Sequence, residues 1–390
     1  MRRDWDVIVI GLGALGSAAA YWASIRPGTR VFGLERFELG HARGASSDHS
    51  RIIRLSYHRP DYVRLAKRAY ETWAEVEAAA NERIVTMTGG LDLWPAEAAI
   101  PEVDYTASLA AEHVPYESLG ADEVMRRWPQ WRLADDVRGL WQAQGGIADP
   151  YKGNGAHRGL AMANGARLID RTPVSTIRAV GDELEVDAGG ETHRAGRVIL
   201  TVDAWTNGLI QSFGRRLPLT VTQEQVTYLA CPDPSRFAPD RFPVWIWMDE
   251  PSFYGFPTYG ERGPKAAQDV GGRPVDPDTR DFEPDDAGFD RVRDFLAAHL
   301  PEAVGPPIMT KTCLYTLTPD RDFVVDRLPE APGLLLGLGA AHGFKFASVL
   351  GRILVELALD GRTPSAPELE AFAIDRPVLL ERDPAPSWMV

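Results

Sequence analysis

The sequence has few cysteines and no long apolar run. Cys231 and Cys313 are the two cysteines among 390 residues, which argues against a disulfide scaffold and favours a reducing cytoplasm. No apolar segment approaches the roughly 20 residues that a membrane span needs. The first residues run directly into an apolar strand, unlike a cleavable signal peptide. We therefore expect a cytoplasmic protein with no membrane partner.

Positive charge and metal-ligand patterns are also scarce. The 42 Lys and Arg residues against 55 Asp and Glu give a net charge of −13, which disfavours non-specific binding to nucleic acid or to membrane surfaces. The eight histidines include no close pair with the spacing of zinc ligands, so no metal site is predicted. A chain that is 44% apolar and 25% charged is ordinary globular protein, long enough for two or three domains.

A glycine-rich turn follows the first apolar strand, in DVIVIGLGALGSAAAYWA. In this G-x-G-x-x-G spacing, Gly11 allows the tight turn, Gly13 lets the backbone approach a pyrophosphate, and Gly16 lets the helix pack on the strand. The helix that starts near Ala14 points its free N–H groups at the phosphates. The cofactor-binding candidates of this turn are Gly11, Gly13, Ala14, Leu15 and Gly16.

An acidic residue stands at the end of the next apolar run. Glu35 lies 24 residues after Gly11, where a carboxylate can accept both hydroxyls of a ribose. Its charge would repel a 2′-phosphate, so NADP is disfavoured. We expect Glu35 and the neighbouring Arg36 at the nucleotide.

A second glycine-rich turn lies near the other end of the chain, in GLLLGLGAAHGFKFASVLG. It places Gly337, Gly339 and Gly343 between an apolar run and an amphipathic helix. A nicotinamide dehydrogenase needs only the first turn. A chain that leaves its nucleotide fold for about 300 residues and then completes it indicates a fixed cofactor held at both ends, as FAD is.

The pattern along the chain predicts an α/β protein, α+β overall, with two interleaved domains. Helices are predicted over Pro60–Asn81 and Ala121–Trp128, and alternating stretches such as VTQEQVTYLA and VWIWM indicate an antiparallel sheet. The predicted domains are a Rossmann-like FAD-binding domain of residues 1–88, 142–213 and 319–386, and a mostly antiparallel-sheet substrate domain of residues 89–141 and 214–318.

Six motifs carry a resemblance to a known family: GLGALG, SRIIRLSY, FYGFPTYGERGPK, VDPDT, KTCLYTLTPDRDFVVD and HGFKFASVLG. In this order and spacing they resemble the monomeric sarcosine oxidases and N-methyltryptophan oxidases, within the D-amino-acid-oxidase-like flavoproteins. The resemblance implies a monomeric FAD-dependent amine oxidase. Its substrate would be a secondary amine with a carboxylate, such as an N-methyl amino acid, and oxygen would be reduced to hydrogen peroxide after hydride transfer to the flavin and hydrolysis of the imine.

Other functions remain open on the same scaffold. The nearest is an oxidase of cyclic imino acids or primary amino acids, which a substrate panel scored by peroxide would separate. A dehydrogenase with another electron acceptor is disfavoured by Lys265. A flavin-binding protein without turnover is a further alternative, because a fold alone does not establish a function.

The resemblance also assigns residues of this chain to roles. Cys313 would bind FAD through a thioether, and Lys265 would activate oxygen by stabilising the developing superoxide. Arg51 would face the flavin, while Arg54 and Lys345 would hold the substrate carboxylate. From the residues alone, Cys313 could equally be a small buried hydrophobe, Lys265 a surface lysine, and the two arginines a structural charge pair.

Further candidates complete the predicted site. His342 and Gly343 would lie by the flavin at a helix start, and Tyr254 and Tyr315 would line the substrate cavity or belong to the core. The predicted catalytic residues are Lys265, Arg51, His342, Tyr315 and Asp269. The predicted substrate-binding residues are Arg54, Lys345, Tyr254 and Trp245, and the remaining cofactor-binding candidates are Ser47, Val174, Gly339, Phe344 and, again, Lys345.

Several positions depart from the family pattern. Asp269 stands where a histidine is usual, Trp245 where a smaller or more flexible residue is usual, and Asp203 where a small residue is usual. The run Ser-His-His-Gly-Asp near the flavin is here residues 45–49, Ala-Ser-Ser-Asp-His. An acid at position 269 would favour a protonated amine or bind a donor group on a different substrate. The reaction is therefore expected, but sarcosine itself is not assumed.

Overall fold

The computed structural model describes residues 4–382 and 384–387. Over these residues the strands, in chain order, are β1 Trp5–Ile10, β2 Val31–Leu34, β3 Arg51–Ile53, β4 Val85–Met87, β5 Gly90–Trp94, β6 Glu117–Gly120, β7 Arg138–Gln142, β8 Gly146–Ala148, β9 Arg167–Ile169, β10 Val174–Val180, β11 Glu183–Ala188, β12 Glu191–Leu200, β13 Thr220–Leu229, β14 Val244–Trp247, β15 Phe253–Phe256, β16 Lys265–Gln268, β17 Arg273–Pro274, β18 Pro307–Leu317, β19 Val324–Leu328 and β20 Ala331–Leu338.

The α-helices are α1 Ala14–Ser24, α2 Pro60–Ala80, α3 Glu102–Ala111, α4 Ala121–Arg127, α5 Pro150–Ala163, α6 Thr206–Ile210, α7 Asp286–His299, α8 Ala347–Asp360, α9 Ala366–Leu369 and α10 Pro377–Leu380. Short 3₁₀ turns include Asp203–Trp205 and Gly343–Phe346. The predicted helix over Pro60–Asn81 is α2, which ends one residue earlier because Asn81 caps it in the left-handed conformation at φ 50°. The predicted helix over Ala121–Trp128 is α4, with Trp128 as its C-cap.

The first sheet is built around β1, whose neighbours β2 and β12 run parallel to it. β9 continues this sheet beside β2, and β20 lies parallel to the second half of β12. β10, β11 and β19 add antiparallel strands at its margins. Because β1, β2, β12 and β20 are parallel, their carboxyl ends meet at one edge of the sheet, which is where ligands bind in open α/β sheets.

Side chains of β1 point alternately to its two faces and belong to two separate hydrophobic cores. Val7 and Val9 pack with the helices on one face, and Ile8 and Ile10 pack with β10, β11 and β20 on the other. A strand that is apolar on both faces must be covered on both. This explains why the run is continuously hydrophobic rather than alternating.

Helix α1 packs closely against the turn after β1 and against α8, and each of these contacts requires a glycine. A Cβ on Gly16 would lie 1.8 Å from the carbonyl oxygen of Gly11, which is the close approach that the motif predicts for this glycine. A Cβ on Gly351 of α8 would lie 2.5 Å from the Cβ of Ala18. Helices α1 and α8, which lie more than 300 residues apart in sequence, therefore pack directly against each other.

The second sheet has the order β17-β13-β16-β15-β14-β5-β7-β6, with β18 along β13. All its pairs are antiparallel except that between β14 and β5. A small third sheet joins β3, β8 and β4. The predicted combination of a Rossmann-like sheet with a mostly antiparallel one is confirmed. The proposed domain boundaries stay a prediction, and β7 extends one residue beyond the boundary at 141.

The described residues lack membrane-spanning helices and clusters of metal ligands. Within 4–382 and 384–387, no helix combines the length and apolar character required to cross a bilayer. The same part of the chain holds no cluster of three or more histidine, cysteine or acidic side chains arranged for a metal ion.

Candidate active site

A cavity of about 620 Å³ lies at the edge where the parallel strands end, and the second sheet covers it. It extends from the first glycine turn to the inner face of the second sheet. The predicted site residues that line it are Gly11, Gly13, Ala14, Leu15, Glu35, Arg36, Arg51, Arg54, Val174, Tyr254, Asp269, Tyr315, Gly339, His342, Gly343, Phe344 and Lys345.

The turn after β1 requires glycine for two reasons. Gly11 adopts φ +86°, a left-handed conformation, and a Cβ there would lie 2.6 Å from the carbonyl oxygen of Thr201. Gly13 is the N-cap of α1 and has no side chain to close the helix start. The N–H of Ala14 donates to Ser46 Oγ at 3.0 Å. The amino end of α1 therefore faces the cavity, with the partial positive charge that attracts phosphate.

Glu35 follows β2 at the same edge. Its Oε2 accepts from the N–H of Leu12 at 2.8 Å, and its Oε1 accepts from the N–H of Phe37 at 3.0 Å. Burial opposes ionisation of this carboxyl, but the hydrogen bonds from His41, Phe37 and Leu12 outweigh it and lower the pKa of Glu35. The residue is held as a carboxylate that lines the cavity, able to accept hydroxyl protons.

Arg36 and Val174 lie at the outer end of the cavity. The Arg36 guanidinium is 2.8 Å from an oxygen of Asp278 and lies 5.7 Å from the centre of the Trp205 ring. Val174 begins β10 and provides an apolar wall. At this end the aromatic ring of Trp205 and the cation of Arg36 both line the cavity.

Residues 45–50 form a loop that wraps the guanidinium of Arg51. One terminal nitrogen of Arg51 donates to the carbonyl oxygens of Ala45 and Ser47, at 2.9 and 2.8 Å, and the other donates to that of Ser50 at 2.9 Å. Ser46 lines the main cavity and bonds to α1, whereas Ser47 does not line it. Ser47 lies instead beside the small cavity that also holds Cys313, so its contact with the cofactor stays a prediction.

Cys313 lies on β18 beside that small cavity of about 20 Å³. The small cavity shares the lining residues Arg51, Tyr254 and Tyr315 with the main one, so the thiol lies next to the main cavity. Burial raises the pKa of the Cys313 thiol to about 11, against the opposing effect of Arg51. Glu224 of β13 is directly paired with Cys313 across the two strands.

Lys265 is the first residue of β16 and is 2% exposed. Its ammonium donates to Asp48 Oδ2 at 3.0 Å and to the carbonyl oxygen of Ser50 at 2.9 Å. Burial lowers the pKa of Lys265 to about 8, although Asp48 opposes this change. Lys265 lies behind the loop that holds Arg51 rather than in the wall of the main cavity.

Two cations, Arg54 and Lys345, line the part of the cavity away from the first glycine turn. Arg54, just after β3, donates from Nη1 to Asp92 Oδ1 at 3.2 Å and lies 5.0 Å from the centre of the Tyr57 ring. Lys345 lies in the 3₁₀ turn before α8, with its ammonium 5.8 Å from the same ring. Burial and the charge of Arg54 lower the pKa of Lys345 to about 7. The pair forms a positive pole suited to a carboxylate.

Asp269 lines the cavity and is bound by a cation that the sequence analysis does not name. Its Oδ2 lies 2.9 Å from Arg321 Nη1, and the Arg321 side chain is only 5% exposed. The N–H of Asp269 donates to the carbonyl oxygen of Ser252. Arg321 therefore offsets much of the negative charge that Asp269 brings to the cavity.

Two tyrosines and one histidine complete the inner wall. The hydroxyls of Tyr254 and Tyr315 lie 3.4 Å apart, and both rings line the cavity. His342 Nε2 lies 2.9 Å from the carbonyl oxygen of Arg321, and it must carry the proton because a carbonyl can only accept. Burial, reinforced by Lys345 and Arg321, holds the pKa of His342 well below its usual value, so the ring is neutral.

Trp245 does not line the cavity, so the structure does not support its predicted contact with the substrate. It is 2% exposed and packs behind the second sheet, with its ring stacked on Phe295 of α7 at 5.7 Å and edge-on to Trp131 at 5.3 Å. Successive side chains on a strand point to opposite faces. Ile246, the next residue of β14, therefore lines the cavity instead.

Four residues of the site escaped the sequence analysis in these roles. Asp92 and Arg321 each pair with a charge in the cavity wall, Ile246 lines it, and Asp48 binds Lys265. Asp92 carries a usable signal, because a single acid inside the apolar strand GLDLW must have a partner.

The comparisons with known proteins agree with this arrangement. The family model described as FAD dependent oxidoreductase (DAO) matches residues 6–357. Monomeric sarcosine oxidase from Streptomyces avermitilis is 34% identical over 372 residues, covering 93% of this chain and 96% of the relative. N-methyl-L-tryptophan oxidase from Salmonella arizonae is 28% identical over 378 residues, covering 95% and 99%. The solved structure of NikD, described as an unusual amino acid oxidase essential for nikkomycin biosynthesis, has a TM-score of 0.83 at 28% identity, covering 95% and 98%.

The chain belongs to the family of FAD-dependent oxidoreductases. The predicted family and enzyme class are thereby confirmed, and its relatives of nearly equal length are amine oxidases. The residues present fit FAD: a glycine turn where a Cβ would clash, a carboxylate at the end of β2, and a cavity that reaches Arg51, with Cys313 in the adjoining small cavity.

Proposed function

We propose that the chain holds FAD along the full cavity, with covalent attachment through Cys313. The first glycine turn would hold the pyrophosphate and Glu35 the ribose, while Arg51 and His342 would lie against the isoalloxazine. The position of Cys313 in a small cavity that shares Arg51, Tyr254 and Tyr315 with the main one supports this assignment. Because the pKa of the Cys313 thiol is about 11, the group is protonated at neutral pH. Its proton must therefore leave when the sulfur bonds to the flavin.

The proposed substrate is an amino acid with a secondary amine, such as an N-methyl amino acid. The observation that carries this proposal is that two cations, Arg54 and Lys345, line the cavity beside the Tyr57 ring. Within the described residues, Arg54 is the one of the two that is directly paired with a carboxylate, that of Asp92. A buried guanidinium and ammonium together suit a carboxylate. Tyr254 and Tyr315 would then form the wall beside the substrate amine.

The chemistry that FAD would supply when bound is acceptance of a hydride from the substrate carbon next to the amine and transfer of the electrons to oxygen. The chain orients the substrate through its carboxylate, excludes water with the second sheet, and needs no strong base. Hydrolysis of the imine from an N-methyl substrate would give the demethylated amino acid and formaldehyde. The buried positive charge of Lys265 would stabilise the anion that forms when oxygen takes an electron.

A second candidate is an oxidase of cyclic imino acids or primary amino acids on the same scaffold. The Asp269–Arg321 pair favours it, because its carboxylate can accept a hydrogen bond from a substrate group other than a simple methylated amine. The similarity to NikD, an unusual amino acid oxidase by its description, is consistent with such a departure.

An anaerobic titration followed by bleaching of the flavin tests the two candidates. The panel would contain N-methyl amino acids, cyclic imino acids and primary amino acids, each beside its counterpart without the carboxylate. Bleaching by the N-methyl amino acids, with peroxide formed on admission of oxygen, supports the first proposal. Bleaching confined to the cyclic or primary compounds supports the second, and bleaching by the carboxylate-free amines alone contradicts both.

A further inference from the structure

A buried carboxylate, Asp48, lies at the centre of the charged groups around the flavin site. Its side chain is 3% exposed, and its backbone adopts φ 92°, in the region that favours glycine. The burial of a charge and a left-handed backbone both cost free energy. Asp48 therefore requires compensating contacts.

Those contacts come from four separate strands. Oδ1 of Asp48 accepts from Tyr228 of β13 at 2.8 Å and from Lys311 of β18 at 3.0 Å. Oδ2 accepts from Lys265 of β16 at 3.0 Å and lies 3.7 Å from Nη1 of Arg51 on β3. The carboxylate thus joins three strands of the second sheet to the loop beside the glycine turn.

Two of the few lysines of the chain contact Asp48. The chain has five lysines in all, Lys67, Lys152, Lys265, Lys311 and Lys345. The two that contact Asp48 are Lys265 and Lys311. The carboxylate is the counter-charge shared by two ammonium groups and one guanidinium, so its removal would leave mutually repelling cations at close range.

We propose that Asp48 is a positioning residue, which anchors the Lys265 ammonium beside the flavin site and keeps it charged. This inference rests on the proposed role of Lys265 toward oxygen. The other groups that face Lys265 cannot replace Asp48: Ser50 offers a neutral carbonyl, Phe256 a ring at 4.0 Å, Tyr228 a ring at 5.6 Å, and Arg51 a like charge. Cys313 also faces Lys265, but as a neutral thiol.

Loss of Asp48 changes the pH range in which Lys265 is charged. Burial already lowers the pKa of Lys265 to about 8. An opposite charge within about 4–6 Å shifts a pKa by about one to three units, and its removal lowers the pKa of a lysine further. A fall of about two units would reduce the charged fraction at pH 7 from about nine-tenths to about one-tenth. At pH 5.5 most of Lys265 would be charged in either case.

The first test is a ¹³C NMR titration of protein labelled at the lysine ε-carbon, with five signals to resolve. Lys265→Met assigns the signal, and Asp48→Asn is expected to lower its titration midpoint by about one to three pH units. Tyr228→Phe is the matched control, because it removes a hydrogen bond to the same carboxylate but no charge. An unchanged midpoint in Asp48→Asn overturns the proposal.

The second test is stopped-flow reoxidation of the substrate-reduced holoenzyme by oxygen. Asp48→Asn is expected to reoxidise about tenfold more slowly than the unmodified enzyme at pH 7 and within about threefold of it at pH 5.5. Its anaerobic reduction by substrate is expected to stay within about threefold. A loss of the same size at both pH values would indicate a distorted site and overturns the proposal.

Two further variants keep the outcomes distinct. Lys265→Met is expected to reoxidise slowly at both pH values; normal reoxidation would overturn the role of Lys265 toward oxygen while the NMR titration still tests Asp48. If Asp48→Asn does not fold, Asp48→Gly relieves the backbone at φ 92° and removes the same charge. The same midpoint shift and pH-dependent rate are expected of it, and their absence overturns the proposal.

Discussion

Replacement of Arg54 by methionine separates its contribution to substrate binding from its contribution to stability. Arg54 and Asp92 form a pair in which both side chains are less than a tenth exposed, 7% and 6%. Methionine keeps much of the apolar stem but leaves Asp92 without the cation. Removal of one partner of such a buried pair costs about 3–5 kcal/mol of unfolding free energy.

The pH dependence of this stability loss follows from Asp92. Burial raises the pKa of Asp92, and Arg54 opposes that rise. Without Arg54 the pKa rises further, so the carboxyl takes a proton more readily as the pH falls. The stability lost in Arg54→Met should therefore be largest at high pH and smaller near pH 5. The double variant Arg54→Met/Asp92→Asn should recover most of it, as measured by urea unfolding.

The effect on catalysis should not recover in the double variant. Loss of two charge-assisted hydrogen bonds to the substrate carboxylate, at about 1.5 kcal/mol each, corresponds to about a 10²-fold fall in kcat/KM. A peroxide-coupled assay would compare an N-methyl amino acid with the corresponding N-methyl amine that lacks the carboxylate. Only the first should lose rate. Equal losses for both substrates would refute the assignment of Arg54 to the carboxylate.

Three other predictions concern single residues. Acid-precipitated protein should stay yellow, whereas Cys313→Ala should release its flavin into the supernatant; complete release from the unmodified protein would contradict the covalent link. KM for a carboxylated amine should rise as the pH increases through about 7, because Lys345 loses its charge there; Lys345→Gln should raise KM and flatten this profile, and an unchanged profile would exclude Lys345 from binding. Trp245→Ala should cost about 3–5 kcal/mol in urea unfolding, as for other buried tryptophans, yet leave the relative kcat/KM of two amine substrates unchanged, since its ring faces α7.

The nucleotide-binding part of the site could be predicted because its chemistry is local in sequence. Gly11, Gly13 and Glu35 follow from one strand, one turn and one spacing, and the structure places all three at the cavity. The proposed roles of Cys313, Arg54 and Lys345 come from motifs that span only a few residues each.

The other contacts of the site depend on how strands that are distant in sequence align. In VWIW the apolar residues give no indication of which face is inward, and the prediction for Trp245 rests on the family resemblance alone. Pairing of β14 with β5 and β15 sets the orientation in which Ile246 lines the cavity. Asp92 meets Arg54, and Arg321 meets Asp269, only after the sheets have formed. No local pattern specifies such contacts.

The packing of α1 on α8 has a consequence for biosynthesis. The ribosome releases the first helix more than 300 residues before its partner exists, and β20, which lies beside β12 at the same ligand edge, is also made late. Coenzyme capture during translation is therefore expected to wait for the C-terminal segment. A nascent chain stalled before Gly339 should emerge apo and sensitive to protease, however much flavin the cell contains.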